Sequence, residues 1–144
     1  MEFTPLKNIN RGYMKLDVWQ KCIQLFKIVF EEVDPKQDLS YKLKAQILDA
    51  AQSISSNIAE EYCRKSIIEY IHFLDIALGS SGELMTRIIG LKVIEKITQQ
   101  FFKEFDSLHY EVENKLIALK KSLQEKQASG NWETIIREPS DDYM

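Results

Sequence analysis

Glu69-x-x-His72 and Asp106-x-x-His109 are the residues of this sequence best suited to chemistry. Each pair puts a carboxylate and an imidazole on one helix face, the spacing with which di-iron and di-manganese helical bundles hold metal. A metal-dependent bundle enzyme is therefore one reading of the chain. Such a centre needs both motifs at one level, plus a Glu from each of two further helices. Folding the chain back near residue 93 sets His72 opposite roughly residue 114. His109 then lies about five residues away, some 7–8 Å along the axis at 1.5 Å per residue. Asp is also too short to replace Glu freely. The expectation is no bound metal, no cofactor and no catalytic centre, with lone histidines of the ordinary kind.

Two further groups invite a chemical reading. Ser53, Asn57, Glu60 and Arg64 recur at steps of four, three and four, so they share one helix face. No His or Cys nucleophile–base pair accompanies them. They read instead as a polar network that fixes helix register, joined by Glu83, with Glu60 and Arg64 spaced as an i,i+4 ion pair worth about 0.3–0.5 kcal/mol. Gly79-Ser80-Ser81-Gly82 has the look of a phosphate loop, but it lacks the preceding strand and following Lys of a P-loop. Small residues inside a helix more often admit a second helix, so Gly79, Ser80 and Gly82 are expected at a close helix contact, within one bundle or between subunits.

The elements that must position these residues are helical almost throughout. Leu16, Trp19, Ile23, Phe26, Phe30 and Val33 step three, four, three, four, three, the spacing of a bundle seam, and Val18, Cys22, Leu25 and Val29 run beside them. Asp34-Pro35 ends that helix. A second helix carries Leu43, Ile47, Ala50, Ile54 and Ile58. Ser66 with Glu69 forms a capping box that opens a third, apolar nearly all round. A fourth carries Ile97, Phe101, Phe105, Leu108, Val112, Leu116, Leu119 and Leu123. These spacings predict an all-α, up-down-up-down antiparallel four-helix bundle over residues 1–127, with helices near 14–33, 38–63, 66–91 and 95–127. Trp19, Ile23, Phe26, Ile47, Ile54, Ile58, Phe73, Ile76, Phe101, Phe105 and Leu108 are its predicted core. Residues 128–144 read as an extended acidic tail with Trp132, Ile135 and Ile136 as anchors.

Bulk composition narrows the function classes. At 144 residues and 44% hydrophobic, the chain is one globular domain. No apolar run approaches the roughly 18 residues of a membrane span, and MEFTPLKN has no basic region leading into an apolar stretch. Cys22 and Cys63 have no metal or redox spacing, which predicts free thiols and a cytoplasmic protein. The net charge of −3 belongs to the tail, where Glu133, Glu138, Asp141 and Asp142 stand against Arg137; residues 1–127 hold 18 basic and 18 acidic side chains. Without a basic excess, direct nucleic-acid binding is expected to be weak and strongly salt-dependent.

Three blocks carry a resemblance. Leu16-Asp17-Val18-Trp19-Gln20-Lys21 comes first. Ser53-Ile54-x-x-Asn57-Ile58-Ala59-Glu60 follows, with Arg64 shortly after. Phe73-Leu74-x-Ile76-Ala77-x-Gly79-Ser80-x-x-Glu83-Leu84 is the third. In that order, over roughly residues 14–125, the chain resembles the family of proteins encoded in intervening sequences of 23S ribosomal RNA genes. That family is related to the accessory variability protein of diversity-generating retroelements. The resemblance implies a four-helix bundle that assembles as a homopentamer. For the retroelement branch it implies binding to nucleic acid and to a reverse transcriptase. The family commonly has Gly after the Asn-Ile-Ala-Glu run and again before the Arg, where this chain has Glu61 and Cys63.

A non-catalytic homo-oligomeric scaffold is therefore expected, with a protein or RNA/DNA partner and no membrane. The third helix is apolar on more faces than one bundle can cover, so some of that surface should meet another copy.

Overall fold

The computed structural model describes residues 11–63 and 66–130. Within them the chain forms a short 3-10 turn, Gly12–Lys15, and then α1 (Asp17–Val33), α2 (Tyr41–Tyr62), α3 (Ile67–Val93) and α4 (Gln99–Ser129), with no strand. The starts of α2, α3 and α4 each have a local cause. Ser40 Oγ accepts from the Leu43 amide at 3.1 Å, Ser66 Oγ from the Glu69 amide at 3.4 Å, and Thr98 Oγ1 from the Phe101 amide at 3.0 Å. Each cap satisfies an amide that the first helical turn leaves free. α4 ends on Gly130, whose φ of 72° lies in the left-handed region that glycine enters without penalty. The fourth helix thus outruns the expected end at 127 by two residues, because nothing stops it before that glycine. The expected tail beyond 130, with Trp132, Ile135 and Ile136, lies outside the described residues.

Facing side chains fix the topology. From Gln46 to Ser53 along α2, the α3 partner steps back from Arg87 to Ser80. From Asp17 to Lys21 along α1, the α4 partner steps back from Lys115 to Glu111. Asp75 and Ser81 of α3 meet Lys120 and Glu113 of α4 in the same reversed order. Each helix therefore runs against its neighbour, and α1 closes on α4. The connections 34–40 and 94–98 lie at one end, where Lys96 Nζ bonds Asp38 at 2.7 Å and lowers its pKa. The α2–α3 connection and the 3-10 turn lie at the other.

The core runs the length of the bundle: Val18, Cys22, Leu25 and Val29 from α1, Ile47, Ala50, Ile54 and Ile58 from α2, Leu74, Ala77, Leu84 and Ile88 from α3, and Phe105, Val112, Leu116 and Leu119 from α4. This corrects the expected seam of α1. The smaller Val18–Val29 stripe faces inward, while Trp19, Ile23 and Phe26 are half-buried and Phe30 is 41% exposed. Slim side chains let α1 approach its neighbours, and the large rings lie across the flanks; Trp19 meets Tyr13 edge-on at 5.6 Å between centroids. On α3 the inward stripe is Tyr70, Leu74, Ala77, Ser81 and Leu84, which turns Ile76 outward and leaves Phe73 half-buried. Leu108 is half-buried for the same reason: Phe105, His109 and Val112 take the inward face of α4.

Candidate functional site

The central turns of α2, α3 and α4 hold a band of polar contacts. Ser53 and Ser80 hydroxyls meet at 2.7 Å across α2 and α3. Asn57 Nδ2 donates to both the carbonyl and the hydroxyl of Ser53, at 2.7 and 3.0 Å. Two turns away, Arg87 donates to Gln46 Oε1 at 3.2 Å and pairs with Glu83 four residues before it. On the other side of α3, the buried Ser81 hydroxyl lies 2.8 Å from the Leu78 carbonyl and 3.2 Å from Glu113 Oε2. Its own carbonyl accepts a hydrogen bond from His109 Nε2 at 2.7 Å.

Ser53, Asn57 and Ser80 are thus brought together, with Glu83 in the neighbouring Arg87 cluster. Glu60 is exposed at the far end of the same face, and Arg64 lies outside the described residues. These groups bond one another or helix backbone, and among the described residues the hydrogen bond of an imidazole nitrogen goes to the Ser81 carbonyl and not to a hydroxyl. The geometry can hold three helices in one register.

The two His motifs are driven further apart than sequence spacing suggested. The α3–α4 hairpin turns about residue 97, midway between the paired Asp75 and Lys120, and not near 93. His72 therefore stands level with about residue 122, some thirteen residues or roughly 20 Å from His109. His72 is exposed beside Phe73, and His109 is 4% exposed in the core. Glu69 and Asp106 are both exposed. Among the described residues no three His, Cys, Asp or Glu side chains converge as a metal site.

The small residues of α3 divide. Ser80 makes the contact with Ser53 and Ser81 is buried. Gly79 and Gly82 instead face open space: a Cβ built on either would touch nothing within 4 Å. A close contact inside the bundle is therefore not their role. They sit in the outer face of α3 among Ile68, Ile76, Ile89 and Val93, all exposed. Helical spacing aligns Ile68 and Val93 with the two glycines and sets Ile76 and Ile89 on opposite flanks, with the exposed His72, Asp75, Glu83 and Thr86 on the same side.

Glu61 was missed as a special residue. It is 0% exposed, and neither carboxyl oxygen has a hydrogen-bond partner among the described residues. Burial pushes its pKa up to about 9, so it is a neutral acid at pH 7. A signal was present: Ile47, Ile54, Ile58 and Glu61 step seven, four and three, which puts the carboxyl on the inward stripe. Glu113 beside the inward stripe of α4 carries the same kind of signal, as do the inward positions of Ser81 and His109.

Comparison with known proteins gives two relevant results. A family model described as 23S rRNA-intervening sequence protein matches residues 14–118. The chain is also similar to a crystal structure from Bacteroides thetaiotaomicron, described as a protein of unknown function from the S23 ribosomal protein family. The two share 26% identity and a TM-score of 0.66 over 72% of this chain and 98% of that one. No curated protein matches.

Proposed function

We propose a function from the premise that this chain belongs to the 23S rRNA-intervening sequence protein family: it is a non-catalytic scaffold that works as a homo-oligomer. The observation that carries this reading is the outer face of α3. Ile68 is 64% exposed and Val93 75%, with Ile76 and Ile89 between them and open backbone at Gly79 and Gly82. Apolar surface of this kind on one helix favours association, and a ring of identical subunits covers it without leaving an unsatisfied end. The glycines let a second helix come close to the backbone. Five copies are the number that the family resemblance implies. The polar residues at the centre of the bundle support the same reading, because they are bonded to one another and hold register.

A partner beyond the chain itself is more naturally a protein than a nucleic acid. Lys21, Lys36, Lys96, Lys115 and Lys120 are all paired with carboxylates, as is Arg87. Cations already neutralised inside the molecule release few counterions from a phosphate backbone. Association with a nucleic-acid-processing protein fits this surface better than a direct phosphate track.

Light scattering on the purified chain tests the reading. A pentamer has a mass of about 84 kDa, five times 16.8 kDa. A strictly 16.8 kDa species at micromolar concentration overturns the assembly. The metal-enzyme alternative would require stoichiometric iron, manganese or zinc that disappears in His72→Ala.

A further inference from the structure

Glu61 sits in the last turn of α2, where a carboxyl is doubly disfavoured. It is removed from water, and it lies at the helix end whose dipole is negative. The register of Gln46 with Arg87 and Ser53 with Ser80 carries on to place it level with about residue 72 of α3 and residue 122 of α4. That level lies beyond the start of α1, whose Asp17 faces Lys115. The fourth wall there is the 3-10 turn, which packs on α2: the Tyr13 ring meets Tyr62 at 6.1 Å, and a Cβ at Gly12 would come within 2.5 Å of the Tyr62 hydroxyl.

Inward-facing groups around this level are Ile67, Tyr70 and Leu74 from α3 and Leu119 and Leu123 from α4. The titratable groups near it are the phenols Tyr13, Tyr62 and Tyr70. Among charged side chains, Glu60 is exposed on α2, Glu69 and His72 on α3, Lys121 and Glu125 on α4, and Arg11 and Lys15 at the 3-10 turn, while Lys115 pairs with Asp17 and Lys120 with Asp75. None is bonded to the Glu61 carboxyl. An ionised carboxylate without partners among the described residues is strongly disfavoured in such a setting, so ionisation draws in water.

We propose that Glu61 makes this end of the bundle a proton-held closure: while the carboxyl keeps its proton, the last turn of α2 stays seated on the start of α3 and on the 3-10 turn, and loss of the proton lets that end swing open. The rest stays folded, held by Ser53–Ser80 and Gln46–Arg87, by the two α1–α4 ion pairs and by Lys96–Asp38 at the opposite end. Opening exposes the apolar side chains around Ile58, Ile67 and Leu74, which are otherwise fully covered.

Hydrogen exchange on the full chain, corrected for the intrinsic rate at each pH, tests this. In the wild type, amides of residues 57–62 and 67–74 should have at least tenfold less protection at pH 8 than those in the middle of α1 and α4. That protection should fall by up to tenfold per pH unit between about pH 5 and 9. In Glu61→Gln the fall should vanish while the fold persists. Glu61→Leu provides a second neutral variant, and it should behave alike. Equal protection at both ends, meaning a single global opening, overturns the proposal. So does an unchanged pH dependence in either variant.

Discussion

His109 Nε2 lies 2.7 Å from the carbonyl oxygen of Ser81, so the imidazole of α4 donates a hydrogen bond to the backbone of α3. A carbonyl can only accept, which fixes the proton on Nε2. The imidazole thus joins two helices through Nε2, leaving its lone pair on Nδ1. Replacing His109 by Ala removes a buried hydrogen bond and leaves a void among Phe105, Val112 and Ser81. A loss of about 2–3 kcal/mol in urea-unfolding free energy is expected, with no change in metal content.

Gly79→Leu and Gly82→Leu should separate folding from assembly. Each added side chain enters open space on the outer face of α3. Gly costs roughly 1 kcal/mol against a good helix former, so thermal stability of the single bundle should hold or rise slightly. If that face meets another copy, the same side chains overfill the contact, and light scattering should show smaller particles. Unfolding of either variant would contradict the open geometry. An unchanged particle mass would remove this face from the interface.

Glu61 gives stability a pH dependence of known sign. The folded chain holds this proton up to about pH 9, whereas an ordinary Glu releases it near 4.5. Between those values the folded state binds the extra proton, so this residue makes stability fall as pH rises, by up to about 1.4 kcal/mol per unit. Glu61→Leu should therefore gain stability over the wild type, and the gain should be larger at pH 8.5 than at pH 5. A constant difference between the two chains across that range would refute the assignment.

Ser53→Val removes the hydroxyl that meets Ser80 and accepts from Asn57. Both partners are half-buried and keep some access to water, so the expected cost is about 1 kcal/mol in chemical denaturation. Ser53→Val combined with Ser80→Ala should cost less than the sum of the single changes, because no orphaned hydroxyl remains.

Binding to ribosomal RNA fragments should be weak at physiological salt and should fade steeply as salt rises. Fluorescence anisotropy with a labelled fragment checks this. Submicromolar affinity at physiological salt would show that the paired lysines are free enough to neutralise phosphates.

Helix number, order and antiparallel direction were legible because apolar periodicity and caps are local signals. Ser66 and its Glu69 state one boundary outright, whereas the start of α2, expected near 38, falls at Tyr41 behind the Ser40 cap. The facing of α1 is not legible in the sequence: two stripes lie side by side, and the one with larger side chains has the spacing of a seam. Which stripe turns inward depends on how closely three other helices approach, a property of the packed whole. The separation of His72 and His109 was misjudged for a similar reason. The turn between α3 and α4 was placed four residues early, and an error in a hairpin's pivot doubles in the register. Glu61 was legible by position yet read past, since a carboxyl on an apolar stripe looks like an interruption rather than a buried acid. The outward set of Gly79 and Gly82 could not be read at all, because sequence does not say which side of an all-round apolar helix is covered.

The reversed register of α2 and α3 restricts how this molecule can change in length. Ser53 faces Ser80 and Gln46 faces Arg87, seven residues back along α2 against seven residues on along α3, so both pairs keep one register. Removing seven residues from the end of α2 and seven from the start of α3 would shorten the hairpin and leave both pairs opposite one another. Removing seven from one side alone would slide every later pair by roughly 10 Å and break them all. Insertions and deletions are thus tolerated only as matched twins, so homologous chains of unequal length should differ by equal amounts on the two sides of this turn.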